Sequence, residues 1–111
     1  MIFLTIILFA LAAAVGVLIL KNWLTAAPTS KTVVYVHGAF AAAGLLLLVA
    51  NAVRNTEQAF TTSLIFLVLA AVGGFYMFFS GRSGRNTPVW LALVHSLLAV
   101  TGFVFLVLKV I

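Results

Sequence analysis

The chain has 111 residues, of which 66% are hydrophobic and only 6% are charged. Soluble domains carry roughly 25% charged residues, so this composition excludes a soluble globular protein and predicts an integral membrane protein in a lipid bilayer. The absence of cysteine excludes disulfides, thiolate metal sites and covalent haem attachment through Cys-x-x-Cys-His. The six basic residues stand singly rather than in a cluster, which argues against nucleic acid as a partner.

Four apolar segments follow one another along the chain, separated by short polar stretches. They cover residues 2–20, about 32–53, about 60–79 and 89–108. Each holds roughly 19 to 22 residues, which is enough for a helix to cross a hydrocarbon core of ~30 Å. Because short loops make consecutive helices antiparallel neighbours, the sequence predicts an all-α, up-down four-helix membrane bundle that forms one domain over residues 1–111.

The basic residues predict the orientation of these helices in the membrane. Four of them flank the first loop or lie in the third, namely Lys21, Lys31, Arg82 and Arg85, whereas Arg54 and Lys109 belong to the other side. Loops rich in lysine and arginine stay in the cytoplasm. We therefore expect a multi-pass protein of a prokaryotic plasma membrane with loops one and three inside and both termini outside.

The pattern His-x3-Ala-x2-Gly occurs twice. Its copies are His37, Ala41 and Gly44, and His95, Ala99 and Gly102, which lie 58 positions apart. The tetrapeptide Ala-Ala-Val-Gly also occurs twice, ending at Gly16 and Gly73, 57 positions apart. If one residue is inserted in the second loop region, the two offsets agree. The sequence then predicts a tandem duplication of a helical hairpin, with units at about 2–53 and 60–111, related by a pseudo-twofold axis along the membrane normal.

The two histidines are the only ones in the chain, and both lie at one depth. His37 follows Lys31 by six residues and His95 follows Pro88 by seven, which corresponds to roughly 9 to 10 Å from the same membrane face. A histidine inside an apolar membrane segment is costly and therefore indicates a function. The alanines and glycines of the two motifs continue each histidine face, and we expect Gly16 and Gly73 to come near the same level.

Two level, neutral imidazoles suit axial ligation of one non-covalent haem b from both sides, with the small residues leaving room for the porphyrin. Zinc or copper would need further ligands, yet the one acidic residue, Glu57, belongs to the opposite loop. A proton relay would usually recruit a carboxylate within the helices. Small residues also let membrane helices pack closely without any ligand, so that interpretation stays open.

Propionates of such a haem would point to the nearer, predicted cytoplasmic face. Lys31 and Tyr35 at the start of the second helix, with Arg82 and Arg85 in the third loop, are the candidates to bind them through charge-assisted hydrogen bonds. The ordinary alternative is that the basic residues set the orientation and that Tyr35 belongs to the interfacial aromatic belt.

These histidines, placed on the second and fourth helices with a glycine two turns after each, resemble the cytochrome b561-like group of membrane b-type cytochromes. The resemblance implies that His37 and His95 are axial haem ligands. It also implies electron exchange with quinol, another small reductant or a redox partner protein. Members of that group commonly hold two haems through four histidines, whereas this chain offers one bis-histidine site. Pairing of two chains as a homodimer is a further arrangement that would hold a haem between protomers.

Two other functions fit parts of the sequence. One is a cofactor-free accessory or structural subunit, in which the histidines form hydrogen bonds between helices and the glycines only allow packing. The other is a small multidrug-type transporter, which matches in length and helix number. Transporters of that type use an acidic residue in the first helix, and residues 2–20 contain none.

Overall fold

The fold is an all-α bundle of four long helices. In the computed structural model, residues 2–54, 60–82 and 88–111 are described, with the backbone alone at 81 and 82. The helices are α1 (Ile2–Leu24), α2 (Lys31–Arg54), α3 (Thr61–Arg82) and α4 (Val89–Val110), and this part of the chain contains no strand. All four are long and apolar enough to cross a membrane. The predicted fold class is therefore confirmed.

Helix α1 extends beyond the end of the apolar segment that predicted it. The helix continues past Lys21, which is exposed, to Leu24. Ala26 then adopts a left-handed conformation with φ of 58°. The Ala27 N–H donates to the Asn22 carbonyl at 2.8 Å and the Ala26 N–H donates to the Trp23 carbonyl at 3.4 Å. This pair of bonds is a Schellman motif, which satisfies carbonyls at a helix end.

The first loop leads directly into α2. The side-chain amide of Asn22 donates to the Thr29 hydroxyl across the loop at 3.1 Å. The Ser30 hydroxyl accepts a hydrogen bond from the Val33 N–H at 3.2 Å, which caps the otherwise unsatisfied first turn of α2. These local bonds fix where α2 begins, and hence the height of every residue along it.

The four helices form two hairpins that pack side by side. Helix α1 packs along α2 and α3 along α4, and the hairpins meet where α1 contacts α4 and α2 contacts α3. Helices α2 and α4 therefore face each other diagonally across the bundle. The molecule measures 43 × 20 × 19 Å, so its long axis exceeds a hydrocarbon core of ~30 Å and its ends reach the headgroup layers.

The tightest packing lies in the half of the bundle away from the histidines. Its core consists of five large apolar side chains, Phe9, Leu48, Phe60, Leu67 and Leu106. Large apolar residues also cover the outside of all four helices, with Phe3 69% exposed and Leu46 71% exposed. An apolar exterior of this extent suits a protein surrounded by lipid.

The buried positions of the first hairpin recur in the second at a constant distance of 58 residues. The corresponding pairs are Thr5 and Ser63, Phe9 and Leu67, Ala12 and Ala70, Gly44 and Gly102, and Leu48 and Leu106. The offset is the same in both helices of each hairpin, so the correspondence needs no inserted residue. At this offset the counterpart of Gly16 is Gly74. The match of Gly16 to Gly73 came from a short tetrapeptide in helices rich in alanine and valine.

Candidate functional site

The two histidines meet inside the bundle. His37 lies six residues after the start of α2, and His95 lies six residues after the start of α4. Both side chains are half-buried. Their ring centroids are 6.2 Å apart and the ring planes stand at 77° to each other. The diagonal helices α2 and α4 therefore bring the rings together at one level.

Each imidazole is held by a backbone carbonyl of the neighbouring helix in its own hairpin. The His37 Nδ1 lies 2.8 Å from the Ala12 carbonyl oxygen, and the His95 Nδ1 lies 2.6 Å from the Ala70 carbonyl oxygen. A carbonyl oxygen can only accept a hydrogen bond, so Nδ1 carries the proton in both rings. The lone pair of each neutral ring is consequently on Nε2.

A glycine gives each ring access to its carbonyl. In a helix the carbonyl of Ala12 accepts the N–H of Gly16, four residues later, and its second lone pair can accept the histidine. A Cβ added at Gly16 would lie 3.0 Å from His37 Cε1. A Cβ added at Gly74, four residues after Ala70, would also lie 3.0 Å from the Cε1 of its histidine. Both glycines therefore leave room for this close approach.

Gly74 is the site residue that the sequence pattern missed. A Cβ at the predicted Gly73 would lie 3.9 Å from the nearest His95 atom, which is an ordinary van der Waals distance. The signal that identifies Gly74 is present in the sequence, because adding the 58-residue histidine offset to Gly16 gives position 74.

The remaining motif residues divide into two levels. Ala41 and Ala99, one turn after the histidines, are half-buried and place only methyl groups there. Gly44 and Gly102, two turns after them, accommodate core side chains. A Cβ at Gly44 would lie 3.2 Å from the Phe9 ring, and one at Gly102 would lie 2.7 Å from Leu67 Cγ. These two glycines therefore serve contacts between helices α1 and α2 and between α3 and α4.

The structure describes only some of the residues that were predicted to bind the haem propionates. Lys31 is exposed at the start of α2. Tyr35 is 55% exposed, and its ring packs edge-on against Phe78 of α3 with centroids 5.8 Å apart. The side chain of Arg82 and the whole of Arg85 lie outside the described residues, as does Glu57.

Two histidines without further protein ligands suit a metal whose remaining ligands come from a cofactor, as in haem. Within the described ranges no cluster of three or more histidine, cysteine, aspartate or glutamate side chains could hold an ion. Two imidazoles suffice for the two axial positions of a haem iron. Their ring centroids lie 6.2 Å apart, so the two candidate ligands stand next to each other inside the bundle.

The hydrogen bonds at Nδ1 also fit such a role. A histidine that binds a metal through one nitrogen usually donates the other N–H to a carbonyl or carboxylate, which fixes the ring and its tautomer. Both rings have this arrangement, with Ala12 and Ala70 as acceptors. Comparison of the chain with protein-family models, with curated proteins and with solved structures finds no match.

Proposed function

We propose that the chain is a membrane b-type cytochrome that holds one haem non-covalently between His37 and His95. The observation that supports this function best is the pair of Nδ1 hydrogen bonds to Ala12 and Ala70, which leaves an Nε2 lone pair on each ring. When bound, the haem supplies a reversible one-electron couple.

The residues of the chain prepare the two ligands in three ways. The carbonyls of Ala12 and Ala70 fix the ring orientations and raise the basicity of Nε2. Gly16 and Gly74 leave room for the rings close to α1 and α3. The apolar helices around them limit access of water, and solvent exposure is one of the factors that set a haem potential.

The finer features belong to the same proposal. Lys31 and Tyr35, with Arg82 and Arg85, would bind the propionates at the end of the bundle nearest the histidines. Quinol or a redox partner protein would exchange electrons there, on the cytoplasmic face, in a chain whose termini lie outside. A prokaryotic plasma membrane and a homodimer fit this arrangement, and a dimer interface would be isologous.

A visible spectrum of the protein purified in detergent tests the ligand assignment. We expect a reduced-minus-oxidised difference typical of low-spin haem with two imidazole ligands. His37→Ala and His95→Ala should each lose most of the bound haem. Ser96→Ala is the matched control, since Ser96 adjoins His95 but donates its hydroxyl to the Ala92 carbonyl at 2.8 Å. Normal haem content in both histidine variants would contradict the proposal.

The second candidate is a cofactor-free structural subunit. The same hydrogen bonds favour it, because they join α1 to α2 and α3 to α4 inside each hairpin. A colourless protein whose melting temperature does not change when haem is added would support this function, since a ligand that binds the folded state raises the apparent stability.

A further inference from the structure

A cavity lies at the end of the bundle away from the histidines, between the start of α3 and the end of α4. Its volume is about 270 Å³, and it is lined by Phe60, Thr62, Ser63, Phe105, Leu108 and Lys109. Pockets for small organic ligands usually measure about 300–1,000 Å³. The cavity therefore suits a small headgroup and is too small for a macrocycle.

The lining combines one cation with hydroxyl groups and aromatic rings. The Lys109 ammonium lies 5.5 Å from the centroid of the Phe60 ring, where the ring face attracts it. Thr62 is exposed and Ser63 is 2% exposed, so hydroxyls stand both at the rim and in the wall. This set of groups favours an anion.

The two hairpins differ in composition at this cavity, although their buried cores correspond. Counting back 58 residues, Lys109 corresponds to Asn51, Phe105 to Leu47 and Thr62 to Leu4. The second hairpin thus carries a cation, an aromatic ring and a hydroxyl where the first carries an amide and two leucines. These three residues line one cavity, so its cation, aromatic ring and exposed hydroxyl are specific to the second hairpin.

The height of the cavity matches the headgroup layer of a membrane. Lys109 lies in the last turn of α4, 14 residues after His95, which is about 21 Å further along the helix axis. A lysine at such a position can donate a charge-assisted hydrogen bond to the phosphate of a lipid headgroup. The outer surfaces of α3 and α4 also expose apolar side chains to lipid nearer the middle of the bundle, with Ile65 55% exposed and Val104 46% exposed.

We propose that this cavity binds a phosphate group, carried by the headgroup of an anionic phospholipid. Lys109 donates a charge-assisted hydrogen bond to the phosphate, and Thr62 donates a second one at the rim. Phe60 and Phe105 lie on either side of the glycerol group of the phospholipid. This inference is independent of haem, because the site lies at the opposite end of the bundle and uses none of the histidine-site residues.

Native mass spectrometry of the full chain in detergent tests the site. The probes are a short-chain phosphatidylglycerol, a phosphatidylcholine of the same chain length and inorganic phosphate. Lys109→Gln should weaken phosphatidylglycerol binding about tenfold or more, and Thr62→Val by a factor of roughly three to five. Arg54→Gln is the matched control, because it removes one exposed positive charge from the same end of the bundle. We expect it to change binding by less than about fivefold.

Each outcome decides the proposal. A selective loss in Lys109→Gln, with helicity unchanged by circular dichroism, supports the site. An equal loss in Lys109→Gln and Arg54→Gln would overturn it, because binding would then follow total charge alone. Equal binding of both lipids, insensitive to Lys109→Gln, would overturn it as well. If inorganic phosphate binds as tightly as phosphatidylglycerol and Lys109→Gln weakens both equally, the acyl chains add nothing to binding, and the assignment to phospholipid is rejected.

Discussion

Each imidazole approaches its carbonyl beside a glycine that lies four positions after that carbonyl. At Gly16 and Gly74 a methyl group would lie 3.0 Å from the Cε1 of the facing histidine, closer than most carbon contacts allow. Gly73, next to Gly74 in the same helix, leaves 3.9 Å to the nearest histidine atom. A comparison of Gly73 with Gly74 therefore distinguishes contact with the histidine ring from the general effect of glycine on helix stability.

Gly74→Ala should therefore destabilise the protein, and Gly73→Ala should not. We expect a loss of about 1–2 kcal/mol in Gly74→Ala, because the His95 ring must move off the Ala70 carbonyl and leave a polar group unsatisfied. Gly73→Ala should be neutral or stabilising by up to about 1 kcal/mol, since alanine favours the helix. Unfolding by sodium dodecyl sulfate, followed by circular dichroism, measures both.

The Nδ1–H resonance of His95 adds a second measurement in the same variants. It should shift in Gly74→Ala and stay in place in Gly73→Ala. Gly16→Ala should match Gly74→Ala in cost, because its Cβ would be equally close to His37. Equal stability losses in Gly73→Ala and Gly74→Ala would show that ring contact does not determine the effect.

The sequence predicted the two histidines and their common depth, but it missed their nearest partners. Their acceptors are the backbone carbonyls of Ala12 and Ala70. Every residue has a backbone carbonyl, so the pattern of side chains cannot indicate which carbonyl accepts the hydrogen bond. Gly74 was missed because the tetrapeptide ending at Gly73 gave an offset one residue short. In a helix one residue is a rotation of roughly 100°, enough to turn a side chain away from its neighbour.

At the scale of helices, the apolar segments predicted number and order correctly but not every end. Helix α1 runs to Leu24, beyond the predicted limit at residue 20. Hydropathy indicates only where the apolar segment ends, whereas the helix ends where its backbone hydrogen bonding ends. The actual end is set by Ala26, whose φ is 58°. Alanine gives no sequence signal for that conformation, which glycine usually adopts.

Ala26→Gly should stabilise the protein by about 1 kcal/mol. The left-handed conformation costs an alanine roughly 1–2 kcal/mol, and glycine adopts it without a Cβ clash. Part of the gain is lost because glycine is more flexible in the unfolded chain. Denaturant titration in detergent measures the change.

Ala27→Gly is the control for this position, because the same exchange one residue later relieves no positive φ. We expect it to be neutral or slightly destabilising. A destabilisation by Ala26→Gly as large as that of Ala27→Gly would show that strain at residue 26 does not limit stability.

At the scale of the whole molecule, the distribution of basic residues predicts the orientation in the membrane. The chain has no cysteine, so a single introduced thiol can report one side of the membrane. Ala27→Cys lies in the exposed first loop, and Ile111→Cys lies at the exposed end beyond α4. With loops one and three in the cytoplasm, an impermeant maleimide added to right-side-out vesicles should label Ile111→Cys and leave Ala27→Cys unlabelled until lysis. The reverse pattern would invert the predicted topology.

Two copies of one hairpin, related by a twofold axis, would present the same buried face to each other, because Phe9, Ala12 and Leu48 have counterparts 58 residues later. A gene of half this length would then encode the whole histidine pair, one ring from each copy. If two such genes fused, both rings would belong to one chain, and formation of the site would no longer depend on protein concentration. Fusion would also let the halves diverge, as the different residues at the corresponding positions Asn51 and Lys109 would then illustrate.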